Sequence, residues 1–179
     1  MKHIIIVLVV CVMLLSVTSV HAQEFTPTPT PVEYTLAYPG LLPDNPLYKI
    51  KAFRDWLISI LIADPVKKIS FDVLQADKRL GAAQYLFAET PPKNDLAIET
   101  LSKGENYFFQ ALQQIPLARL QGERLYDSLQ KLRLSNAKHL EVVLQMEQGK
   151  KGAVLQGLKV QEERIRDFGN TVKKEGLRQ

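Results

Sequence analysis

The chain is poor in the residues that most often carry metal and nucleophilic chemistry. It has one cysteine, Cys11, and three histidines, His3, His21 and His139. All but His139 fall in a first segment that reads as an export signal. A disulfide framework is therefore excluded, and so is a Cys/His zinc site, which needs three or four convergent ligands. One imidazole is left for acid–base work. No Gly-x-Ser-x-Gly, phosphate loop or dinucleotide fingerprint occurs. Two-carboxylate chemistry needs two acids held across a cleft. The sequence nominates no such pair: Glu162 and Glu163 are adjacent and diverge around a helix, and most other acids sit among Lys and Arg. No catalytic, cofactor-binding or metal-binding residue is assigned, and an enzyme with a dispersed carboxylate site is kept only as a further alternative. No segment shows the two-residue alternation of a half-buried strand.

What the chain does contain is an apolar beginning. Lys2 precedes an uninterrupted apolar run from Ile4 to Leu15, and Val20-His21-Ala22 has the small-x-small form of a cleavage site. Residues 1–22 are read as a signal peptide, with Gln23 as the mature N-terminus. The alternative is an uncleaved N-terminal anchor. Against it, Ser16, Thr18 and Ser19 interrupt the run well short of the roughly 20 apolar residues that span a bilayer. Cleavage would leave 157 of the 179 residues, enough for one domain with a sizeable core.

Residues 23–37 read as a tether. Thr26-Pro27-Thr28-Pro29-Thr30-Pro31 alternates Thr with Pro, a pattern that favours extended polyproline II and builds no core. It is taken as a disordered N-terminus, with a spacer from a surface as the alternative.

The folded domain, residues 38–175, opens on a dense run of turn and cap signals. Tyr38-Pro39-Gly40 reads as a turn in which Gly supplies the positive φ. Leu42 precedes Pro43 and is biased to extended geometry. Asp44 or Asn45 can cap a helix whose first residue is Pro46, followed by Leu47 and Tyr48. Asp64-Pro65 repeats the cap-plus-Pro signal. With Arg54-Asp55, Ala76-Asp77-Lys78-Arg79 and Lys103-Gly104-Glu105-Asn106-Tyr107, this pattern resembles a family of small secreted or surface-displayed bacterial helical domains of unknown function. The resemblance covers about residues 38–145. It implies an all-α fold and an extracytoplasmic address, and no catalytic residues.

Periodicity predicts about five helices. The first runs from about Pro46 to Ile62 and carries Leu47, Ile50, Phe53, Leu57, Ile58 and Leu61; Trp56 and its apolar neighbours read as sandwiched in the bundle, with a membrane-lying or partner-binding surface as the alternative. The second places Val66, Ile69, Val73, Ala76, Leu80, Ala83 and Phe87 on a three–four seam. Pro116 breaks or kinks the third, and the fourth is expected to start just after it. The fourth, about Leu117 to Gln148, has a seam containing Gly122, Asn136 and His139. The last carries Val154, Leu158, Ile165, Phe168 and Val172, and its internal glycines predict the least stable helix.

Asn136 and His139 are polar residues on a seam. They are expected to face the bundle interior, to meet Asp77, Glu105 or Tyr107, and to fix helix register rather than catalyse. Leu at both positions is expected to be tolerated. From Lys150 onward eight basic residues face four acidic ones, a net +4; the mature total is +3, which leaves −1 for the rest. The segment is read as a solvated helix face. The alternative is peripheral contact with anionic membrane or cell-wall polymer. Nucleic acid is not expected as a partner. The sequence thus reads as an exported all-α bundle, a non-enzymatic binding or structural module at the cell envelope, with a membrane-peripheral sensor or accessory domain as the alternative.

Overall fold

A computed structural model describes residues 31–178. The expected signal peptide, and residues 23–30 of the expected tether, lie outside them. Five helices follow: α1 (Tyr48–Leu61), α2 (Pro65–Ala88), α3 (Asn94–Leu120), α4 (Tyr126–Glu147) and α5 (Gly152–Gly176). No strand occurs among the described residues. Helices α2 and α3 form one pair and α4 and α5 a second; α2 also meets α4 and α3 meets α5, while α1 reaches only α2.

Two apolar clusters fill the bundle. One joins Ile69, Val73, Phe108, Ile115, Leu132 and Phe168; the other joins Leu80, Leu86, Leu101, Val142, Leu158 and Ile165. Between them, Asp77, Glu105, Ser135 and His139 form a buried polar layer. Each helix of α2, α3 and α4 changes from apolar to polar at that level and back again.

The cap signals hold unevenly. Asp64 accepts from the backbone N–H groups of Val66 (2.8 Å) and Lys67 (3.1 Å), with Pro65 in the first turn. Gly40 takes φ +68°, as the Pro-Gly turn requires. The start of α1 differs from expectation: Tyr48, not Pro46, is its first residue, and no side chain caps it. Asn45 instead accepts from Leu47 N at 2.9 Å, and the Asp44 carboxylate is drawn off to Lys93. Pro46 and Leu47 remain in a turn.

The boundary between α3 and α4 also moves. Pro116 lies inside α3, which continues to Leu120. The break falls at Gly122, with φ +75°. Glu123 N donates to Ala118 O (3.0 Å) and Gly122 N to Arg119 O (2.9 Å), the paired bonds of a Schellman C-terminus. Ala118 and Leu125 are both buried, but one lies in α3 and the other is the N-cap of α4. Their seven-residue spacing reads as one continuous seam in the sequence and hides the turn between them.

The tether needs a larger correction. Residues 31–37 have no regular structure, yet they strap the bundle. Val32 N donates to Glu141 Oε2 (2.8 Å), the Tyr34 hydroxyl to Asp77 Oδ2 (2.6 Å), and Leu36 packs on the second apolar cluster. The folded unit therefore includes residues 31–37, ahead of the start expected at residue 38. A buried carboxylate recruits the hydroxyl, which compositional reasoning about a Thr/Pro-rich segment does not foresee.

Candidate functional site

Helix α1 is turned inside out. Its polar positions Tyr48, Lys51, Asp55 and Ser59 recur at spacings of three and four, so they share one face. That face lies on the protein. Tyr48 accepts from Arg79 Nη1, and Lys51 Nζ donates to Pro39 O (2.6 Å) and Leu41 O (3.3 Å). Asp55 is 3% exposed and receives Arg54, while Ser59 accepts from Lys68 Nζ at 2.7 Å. Burial lowers the Lys51 ammonium below the usual lysine value, with nearby Asp55 partly opposing the shift.

The apolar residues of α1 face outward. Ile50 is 68% exposed, Phe53 62%, Trp56 54% and Leu61 73%; Leu57 and Ile60 are exposed beside them. Phe53 and Trp56 pair with ring centroids 5.7 Å apart. Trp56 is therefore not sandwiched, and this expectation is corrected. The outer groups of α1 are anchored through hydrogen bonds on its other face, so the helix needs no apolar burial to be held. The polar stripe was legible in the sequence; that it faces inward was not.

Tyr38 is exposed, and with Pro39, Gly40, Leu42, Asp44, Pro46 and Tyr85 it lines a hollow of about 560 Å³ beside the start of α1. Pro43 lies in the turn that follows Leu42.

The second cluster is internal. His139 is 0% exposed. Its Nδ1 lies 2.9 Å from Glu105 Oε1 and its Nε2 3.1 Å from Asp77 Oδ1. Burial opposes protonation most strongly, but the Glu105 charge, the hydrogen bonds to both acids and the Asp77 charge outweigh it and push the imidazole up to about 9. At neutral pH both ring nitrogens therefore donate. Asp77 also accepts from Ser135 Oγ (2.6 Å) and from Tyr34. Burial would raise the Asp77 carboxyl; the His139 bond and charge, with Ser135 and Tyr34, hold it below its usual range. Burial, then the bond to Asp77 and its charge, push the Tyr34 phenol far up, so it stays a donor. Asp77 and Glu105 are thus the partners of His139, whereas Tyr107 stacks under Arg79 at 4.9 Å. Asn136 turns elsewhere and donates to Ile165 O at 2.8 Å. Tyr34 and Ser135 were missed: Tyr34 lies in the presumed tether, and nothing distinguishes Ser135 from a surface serine of α4.

With no exposed surface, His139 cannot touch a substrate in this conformation. No group of three or more His, Cys, Asp or Glu among the described residues is arranged to hold a metal ion. The basic C-terminal segment spends much of its charge internally. Lys159 pairs with Glu147 and Glu162, Arg166 with Glu162, and Arg178 with Glu175. Arg164 donates to Asn106 at 2.7 Å, and Lys150 lies over the Phe87 ring. No described helix is long and apolar enough to cross a membrane. No protein-family model, curated protein or solved structure matches the chain.

Proposed function

We propose that the protein is an exported, non-enzymatic module that docks on an anionic membrane surface through the outer face of α1. One observation carries this reading: a helix whose polar stripe is bonded to the protein and whose aromatic and aliphatic stripe is left in water. An apolar patch of this kind marks an interaction surface. Transfer of a large apolar side chain from water contributes about 1.5–3 kcal/mol, so the several exposed on α1 are sufficient for reversible adhesion.

The charges favour lipid over a protein groove. Helix α1 carries Lys49, Lys51 and Arg54 against one acid, Asp55. Lys49 stands beside the apolar residues of the N-terminal half, where its stem can lie along the interface while the head reaches phosphate, and Arg54 extends from the same half while holding Asp55. The C-terminal half, Trp56 to Leu61, is apolar apart from Ser59. A basic, Trp- and Phe-bearing amphipathic helix that lies in the headgroup region has this composition. An export signal would place the module where such surfaces exist.

Trp56 is the only tryptophan in the chain, so its emission reports on α1 alone. Titration with phosphatidylglycerol vesicles should shift that emission to the blue and co-sediment the protein. Salt should weaken the binding, and Phe53→Ser with Leu57→Ser should abolish it. An unchanged spectrum with anionic vesicles at low ionic strength, including a case where a protein partner protects Trp56 instead, would overturn the membrane reading.

A further inference from the structure

Away from α1, a groove of about 590 Å³ runs between α4 and α5. Leu129, Ala137, Leu140 and Val172 give it an apolar lining, and Arg133 and Lys173 are the two charged residues along it. No acid lines it. Among the described residues neither Arg133 nor Lys173 has a carboxylate within salt-bridge distance, in contrast with Lys159, Arg166 and Arg178 of the C-terminal segment. The groove is thus an apolar trough with two exposed cations that the protein itself does not neutralise.

Glycines shape it. Asn136 closes part of the floor and is 8% exposed; a Cβ on Gly169 would come within 2.6 Å of its Oδ1, so α5 approaches α4 there as no larger residue allows. At Gly176 the opposite holds: a Cβ would meet nothing within 4 Å. One stretch is tight and another is left empty.

We infer that this groove binds a single-chain amphiphile with an anionic carboxylate head, its hydrocarbon body along the floor and its head at Arg133 and Lys173. The volume lies in the range of about 300–1,000 Å³ typical of small-molecule sites, which are mostly apolar with a few placed polar groups. Along most of both walls the backbone N–H and C=O groups are consumed within the helices, and only the first turn of α4 and the last turn of α5 present helix ends. An extended peptide would find few partners for its own backbone there, whereas a hydrocarbon chain needs none. The two cations select a negative head over a neutral or positive one. Partnering with α1 of a second copy is disfavoured, because α1 brings the cation of Lys49, and no free acid, toward Arg133 and Lys173.

Calorimetric titration of the purified protein with laurate, below its micelle concentration, tests this. Saturable one-to-one binding is expected. Arg133→Gln with Lys173→Gln should weaken it at least tenfold without shifting the melting temperature, and Gly176→Leu, whose Cβ meets no neighbour, should remove it. Ala137→Leu provides a second filling variant if Gly176→Leu alters the end of α5. Dodecyltrimethylammonium should bind far more weakly than laurate. Phe53→Ser with Leu57→Ser should leave laurate binding intact while removing vesicle binding, which separates this site from α1. No saturable binding, equal binding of the cationic amphiphile, indifference to all the groove variants, or loss of laurate binding in the α1 variant would each overturn the proposal.

Discussion

His139 shows how one side chain ties stability to pH. Its imidazole has an unfolded value near 6.5 and a folded value of about 9. The folded value is the higher one, so the stabilisation is complete below about pH 6.5 and is lost as pH rises through about 9. The size is on the order of a few kcal/mol. Asp77 acts in the other direction: held below its usual range, it contributes above about pH 4 and loses that contribution on acidification. Urea midpoints measured from pH 5 to 9.5 should therefore fall on the alkaline side, and His139→Gln should flatten that fall. A second outcome concerns leucine. The sequence alone suggests that Leu is tolerated at 139, but in the fold it would strand Asp77 and Glu105 with no cation between them. Removing one partner of a buried ionic cluster costs about 3–5 kcal/mol. Chemical denaturation of His139→Leu should show a loss of that order, not a gain.

At the scale of the helix, two intuitions reverse. Gly157 and Gly169 look like weak points of α5, since Gly costs about 1 kcal/mol against Ala within a helix. In the bundle they are points of close approach. A methyl at position 169 would displace the Asn136 amide and its bond to Ile165 O. Gly169→Ala should therefore lower the free energy of unfolding measured by denaturant titration, by about 1 kcal/mol or more, where helix propensity alone predicts a rise. The second reversal is α1. A buried tryptophan truncated to alanine costs about 3–5 kcal/mol. Trp56 is half in water, and Trp56→Ala should cost less than about 1.5 kcal/mol by thermal melting while sharply weakening vesicle co-sedimentation. A loss of core size would instead indicate that α1 packs on the bundle through its apolar face.

For the whole molecule, the strap matters most. Residues 31–37 connect three layers: Val32 to α4, Tyr34 to α2 in the polar layer, and Leu36 to an apolar cluster. Tyr34 supplies one of the three donors to Asp77. A protein beginning at residue 38 should fold less stably, because it loses that donor and exposes the apolar cluster. Tyr34→Phe isolates the hydroxyl and should cost about 1–3 kcal/mol, the penalty for a buried acceptor left unmet. Amide exchange in the middle of α2 should quicken in both. The acids of the polar layer, Asp77 and Glu105, belong to Ala76-Asp77-Lys78-Arg79 and Lys103-Gly104-Glu105-Asn106-Tyr107, the two longer helical segments that carry the family resemblance, so those segments also supply the centre of the bundle.

Local features were legible because they depend on neighbours in sequence. Helix number, the Asp64-Pro65 cap, the Gly40 turn and the inward facing of His139 follow from spacing and backbone preference, which act over one or two turns. The role of Gly122 was hidden because a heptad spacing survives across a turn. What only the tertiary structure decided is which face of α1 lies against α2, where Tyr34 docks, and how α5 approaches α4. A stripe of polar and a stripe of apolar residues define two faces of a helix equally well. Which one is buried depends on what the neighbouring segments offer, and here Pro39 before the helix and Lys68 and Arg79 of α2 offered hydrogen bonds.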